Sequence, residues 1–148
     1  TAICKNSSME RIGGVIISHG QVANELLSAA ETIVGETSHL TAVSIGWHDD
    51  VELAKKEIER AIERVSSGRG VIILTDMFGG TPTNIAAMFL KDGEVEIVTG
   101  VNLPMVVKLA AYKGEGALSE ASKLIEEAGK GAIYRTAALL DSRKADNG

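Results

Sequence analysis

Gly70-Val71-Ile72-Ile73-Leu74-Thr75, running into Asp76-Met77-Phe78-Gly79-Gly80-Thr81-Pro82-Thr83-Asn84, is the stretch on which the fold turns. Val71 to Leu74 are all apolar, so a strand here offers hydrophobic side chains to both faces, as a central parallel strand under helices requires. Working outward, short β-branched runs recur at Val15–Ser18, Leu40–Ile45, Val95–Thr99 and, with a weaker pattern, Ala132–Arg135. Between the second and third runs, Val51, Ala54, Ile58, Ala61, Ile62 and Val65 keep the three–four spacing of one helix face. Charged residues fill the opposite face, and Asp49 or Asp50 can cap its start. Gln21–Val34 reads as a helix followed by Gly35, and Leu118, Ala121, Leu124, Ile125 and Ala128 form another stripe, with Gly129 expected just past its end. Strand and helix alternating at this spacing predict an α/β domain with an open, mostly parallel sheet.

Composition narrows the class. The chain has 148 residues, 45% hydrophobic, 24% charged and only 3% aromatic, so one core must be built from Val, Ile, Leu and Ala. A formal charge of −5 argues against a general binder of nucleic acid or anionic membrane. The longest apolar run, Ile85 to Leu90, is far short of the roughly 20 residues that span a bilayer. The first residues show no secretory-signal pattern, and the single cysteine, Cys4, can form neither an internal disulfide nor a cysteine zinc site. A cytoplasmic protein with one domain over residues 10–140 is expected, with residues 1–9 and 141–148 as flexible ends.

Open α/β sheets bind ligands beyond the carboxyl ends of their strands, where strand order reverses. His19 ends the first strand, before Gly20 and a helix; it is open to use as a general base, a metal ligand or a covalent nucleophile, or it simply fills a strand end. Asp76 ends the third strand. If the order is the common 2-1-3-4, the two face each other, and the carboxylate can fix the imidazole tautomer; otherwise Asp76 only starts a turn. Gly79, Gly80, Thr81, Thr83 and Asn84 open the next helix, with Thr81 as its expected N-cap. The glycines allow close approach, and free N–H groups converge there as in an anion site, or as in an ordinary strand-to-helix turn. No Walker A loop or dinucleotide fingerprint is present. His39 and His48 stand in polar turns and read as surface histidines, so no metal site is expected. Ser18 points away from His19 and sits in no nucleophile elbow, which disfavours serine hydrolysis. Trp47, Met77 and Phe78 are either a docking patch or loop anchors.

Ile16-Ile17-Ser18-His19-Gly20, then Leu74 through Asn84, then Gly100-Val101-Asn102-Leu103-Pro104-Met105 together resemble the mannose-type enzyme IIA domain of the bacterial phosphoenolpyruvate-dependent sugar phosphotransferase system. The similarity spans roughly residues 11 to 136, with three motifs in order. The resemblance implies a phosphoryl carrier without a cofactor: His19 accepts the group from the histidine phosphocarrier protein and passes it to an enzyme IIB. Asp76 takes the place of the supporting aspartate, holding Nδ1–H so that Nε2 is the reactive nitrogen, and Thr81 that of a loop hydroxyl that is usually a serine. It also implies a four-stranded parallel sheet, order 2-1-3-4, with helices on both faces and a C-terminal antiparallel strand exchanged in a homodimer, which suits Ala132–Arg135. Thr83 stands where the family often has an aromatic residue, a change expected to alter the docking surface. Two other readings stay open: a regulatory adaptor or anion sensor, and the phosphoryl-donor subunit of dihydroxyacetone kinase, whose loop lacks the Gly-Gly-Thr-Pro-Thr-Asn pattern.

Overall fold

The computed structural model describes residues 10–46 and 50–147, with side chains through Asp141. Trp47, His48 and Asp49, and the end segment 1–9 that is expected to be flexible, lie outside the described residues. The strands are β1 (Gly13–His19), β2 (Leu40–Ile45), β3 (Val71–Thr75) and β4 (Val95–Thr99). The helices are α1 (Val22–Val34), α2 (Val51–Val65), α3 (Thr81–Ala87), α4 (Leu103–Ala111), α5 (Leu118–Gly131) and α6 (Thr136–Asn147). All three strand pairings are parallel and the order is β2-β1-β3-β4.

Side-chain alternation along the two central strands divides the core. Ile16, Ile72 and Leu74 face a layer made with α1, α4 and α5, through Ala23, Ala30, Val106, Leu109, Ala121 and Ile125. Val15, Ile17, Val71 and Ile73 face the other layer, with Ala54, Ile58, Ala61 and Val65 of α2 and Ile85 and Ala86 of α3. Helices therefore cover both faces, and every residue of β3 is buried. Asp50 caps α2, accepting a hydrogen bond from the Glu52 N–H.

Three expectations need correction. Gly129 lies inside α5 rather than past its end. A Cβ there would meet Met105 of α4 at about the 2.5 Å separation that no real side chain shows, so this glycine serves helix–helix approach. Ala132–Arg135 is not a strand of this single chain: it joins α5 to α6 outside the sheet, with Ile133 79% and Tyr134 63% exposed. A strand needs a neighbour to bond, and the segment has none within this chain's sheet. Residues 141–147, expected to fray because they are polar, continue α6. Alanine, arginine and lysine favour helix even without an apolar stripe, so a polar stretch can still be helical.

His39 also differs from its reading as a surface residue. It is half-buried, and its Nε2–H donates to the Ala110 carbonyl (3.0 Å), which also accepts from the Arg11 guanidinium (3.0 Å). Burial first, and the Arg11 charge second, hold its pKa below the ordinary imidazole range against the opposing hydrogen bond to Ala110. Because the folded value is depressed, protonation favours unfolding. This contribution to stability is complete above about pH 6.5 and is lost as pH falls through the folded value. Thermal melts from about pH 7 down to about pH 5 should therefore show a smaller loss of Tm in His39→Gln than in the wild type. Equal losses would remove His39 from the account.

Candidate active site at the carboxyl ends of β1 and β3

The strand order brings His19 and Asp76 together. β1 pairs with β2 on one side and β3 on the other, so the chain reverses its direction of progress between β1 and β3. Ile17 is in register with Thr75, and the Asp76 N–H donates to the Ile17 carbonyl (3.2 Å), which sets the next side chain beside His19. Asp76 Oδ2 then accepts two bonds from the same residue, from the His19 backbone N–H (2.9 Å) and from ring Nδ1 (2.7 Å). Asp76 Oδ1 accepts from the Met77 N–H (2.9 Å). Partial burial by itself pushes this carboxyl up. The hydrogen bonds from the His19 backbone and ring, the His19 charge and the Met77 N–H outweigh it and hold the pKa below the ordinary carboxylate value. Asp76 is thus ionised at neutral pH and can only accept, so Nδ1 carries the proton and the neutral ring keeps its lone pair on Nε2.

The Nε2 edge is open. The His19 side chain is 43% exposed, while Asp76 is 17%. Gly80 lies against this edge: a Cβ built there would be 3.5 Å from Cε1 and 3.7 Å from Nε2, and the glycine's φ of +95° would strain any other residue. Gly79 also has positive φ, at +79°. Helix α3 begins here, but its N-cap is Gly80 and not Thr81, which is the first helical residue, with Pro82 second. The boundary needs a positive φ, and that requirement outranks the capping preference of threonine. Pro104 is likewise second in its helix, after the Asn102 cap.

The remaining expected phosphate contacts divide. Thr81 and Asn84 are exposed at the turn, although the Asn84 N–H is committed to the Gly80 carbonyl (3.1 Å). The Thr83 side chain is turned away. It is 8% exposed, and its hydroxyl donates to the Met77 carbonyl (2.5 Å), so it neither reaches toward Nε2 nor changes an outer docking surface. The capping role of Ser18 and the contact made by Ser44, both beside His19, are not anticipated from the sequence. Buried Ser18 accepts from the Ala23 N–H (2.7 Å), capping α1 in place of Gln21, which makes no side-chain cap bond; its own proton goes to the His19 carbonyl (3.0 Å). Ser44 donates to the Gly20 carbonyl (2.5 Å). A helix opening on Gln21 without a capping side chain is the signal that points to them.

The third motif is architectural. Gly100 and Val101 both donate N–H to the Thr75 carbonyl (2.9 Å each), and Asn102 joins α4 to α5 by accepting from the Met105 N–H and donating to the Gly129 carbonyl (both 3.1 Å). Met77 and Phe78 stand on the rim of the site, 55% and 84% exposed. Among the described residues, no group of three or more His, Cys, Asp or Glu side chains could hold a metal ion, and no helix is long and apolar enough to cross a membrane.

An open parallel α/β domain with a histidine–aspartate pair at its switch point is the class that fold and site define. A family model, EIIA-man, the PTS system fructose IIA component, matches residues 13–128. The chain belongs to this family of phosphotransferase-system IIA components. It is 35% identical over 123 residues to the mannose-specific EIIAB component of Escherichia coli K12, covering 78% of this chain but only 36% of that protein. It is 29% identical over 110 residues to the fructose-specific EIIA component of Bacillus subtilis, covering 74% and 75% of the two chains. The IIA protein associated with the fucose utilization operon of Streptococcus pneumoniae superimposes with a TM-score of 0.74 at 28% identity, over 88% of this chain and 96% of that one. The mannose/sorbose IIA subunit of Enterococcus faecalis gives 0.75 at 26%, over 85% and 95%.

Proposed function

We propose that this chain carries a phosphoryl group on Nε2 of His19, taking it from the histidine phosphocarrier protein and giving it to an enzyme IIB in sugar uptake or its regulation. The observation that carries this reading is the 2.7 Å bond from Nδ1–H to the ionised Asp76, which leaves the Nε2 lone pair at an open edge. That lone pair attacks the phosphorus of the donor's phosphohistidine. The donor's N–P bond breaks, its electron pair stays with the donor ring, and a new Nε2–P bond forms. The His19 ring becomes cationic as it bonds, and the adjacent carboxylate stabilises that charge. Phosphoryl transfer asks chiefly for positioning and charge stabilisation. Main-chain N–H groups of the Gly79-Gly80-Thr81 turn and the hydroxyl of Thr81 are the donors for the phosphate oxygens. Helix α3 has seven residues, so these local donors matter more than its dipole. Incubation with phosphoenolpyruvate, enzyme I and the phosphocarrier protein, followed by intact mass, tests this reading. One added phosphoryl group is expected; none would favour the regulatory adaptor.

The same proposal includes a homodimer. Among the described residues β4 has β3 as its one sheet neighbour, apart from an antiparallel bridge of Val95 to Lys91 at its start, and a groove of about 700 Å³ is lined by Glu96–Gly100 and α5, with Ile133 among its lining residues. An unpaired edge is normally covered. The exposed 132–135 segment of a second copy, bonding antiparallel to β4, would cover it. Sedimentation at micromolar concentration should show a dimer, and a monomer would count against the exchange.

A further inference from the structure

Beneath the His19–Asp76 pair lies a layer of hydrogen bonds that the transfer itself does not use. Thr75, the last residue of β3, and Thr83, in the first turn of α3, are both buried, and their hydroxyl oxygens are 3.2 Å apart. A hydroxyl has one proton, and the Met77 carbonyl can only accept. Thr83 Oγ1–H therefore donates to Met77 and receives the proton of Thr75. Met77 is then held on both sides. Its carbonyl is fixed by Thr83, and its N–H is fixed on Asp76 Oδ1 (2.9 Å). With Oδ1 occupied, Oδ2 is the oxygen presented to both N–H groups of His19.

We propose that Thr83 is a positioning residue for the His19–Asp76 pair, its buried hydroxyl fastening the Met77 peptide that orients the Asp76 carboxylate. The geometry distinguishes this from plain core filling. An apolar side chain of the same shape would fill the space but leave the Met77 carbonyl without its partner, and a free peptide turns the carboxylate it orients. Gly79 and Gly80 follow in the same loop, both at positive φ, and carry no side chain that could replace the Thr83 anchor.

The test compares Thr83→Val, which keeps the branched shape, with Thr83→Ser, which keeps the hydroxyl. Ring ¹⁵N spectra of unphosphorylated protein read the His19 tautomer, and rapid-quench exchange reads the transfer. Because the kinetic half rests on the proposed carrier function and the spectral half does not, a chain that never takes up phosphate still decides the role of Thr83. Thr83→Val should weaken the Nδ1–H signature and slow exchange by about fivefold or more, while Thr83→Ser stays within about twofold of wild type. An unchanged His19 tautomer in folded Thr83→Val would overturn the proposal, as would equal losses in both variants. If Thr83→Val does not fold, the wild type decides. A slowly exchanging Thr83 hydroxyl proton is expected, and a freely exchanging one would overturn the assignment.

Discussion

His19→Ala abolishes acid-labile phosphorylation, while His39→Ala and His48→Ala retain it. The expected effect is complete because the phosphorus must bond to nitrogen, and the open Nε2 of His19 is the one presented beside a carboxylate. His39 stands before β2, at the opposite end of the parallel sheet from His19, with its Nε2 committed to the Ala110 carbonyl. Freeing that nitrogen for a partner would cost a part-buried hydrogen bond, and it would act without Asp76, which stands at the other end of the sheet. His48 lies outside the described residues, and in the sequence its neighbours Asp49 and Asp50 read as caps of α2 rather than as support for a nucleophile. Acid lability follows from the N–P bond, which breaks readily once the ring is protonated. Radiolabel that survives in His19→Ala would sink the assignment.

Asp76→Asn should fold normally and exchange phosphoryl groups at least about tenfold more slowly, a rise of about 1.4 kcal/mol or more in barrier. The hydrogen-bond count gives the reason. The carboxylate receives three N–H donors, two on Oδ2 and one on Oδ1. An asparagine has one acceptor oxygen. If that oxygen faces His19, its NH₂ is set against the Met77 N–H; if it faces Met77, NH₂ meets both His19 donors. Either arrangement loses at least one bond, and the negative charge opposite the developing imidazolium is gone. The second arrangement also turns Nδ1 into the acceptor, moving the proton to Nε2 and masking the nucleophile. Rapid-quench rates would contradict this if they matched wild type.

Much of this site is legible in the amino-acid sequence alone. Val71 to Leu74 mark a strand buried on both faces, and that marks β3 as central. Once β3 is central and neighbours β1, the residues ending those strands must meet, so the His19–Asp76 pair follows from topology plus a period of two. What stays hidden depends on contacts between distant segments. Gly129 has the look of a helix stop because a glycine after an apolar stripe usually is one; only the approach of α4, through Met105, explains it inside α5. Thr83 has the look of a phosphate contact or docking-surface residue because it is a polar side chain in a glycine- and threonine-rich turn. Its direction is set by where α3 begins, and a helix that starts at Thr81 after a positive-φ Gly80 turns the third residue inward. The 132–135 segment carries strand-forming residues but pairs with no strand among the described residues of one chain, a condition no local pattern records.

The central claim is that phosphorus bonds to Nε2 of His19 while Nδ1 keeps its proton on Asp76. Long-range ¹H–¹⁵N correlation of the phosphorylated protein tests it most directly, since each ring nitrogen reports its own substituent. One phosphorylated histidine is expected, assigned to His19, with phosphorus on Nε2 and a protonated Nδ1. Phosphorus on Nδ1, or on the ring of His39 or His48, would contradict it.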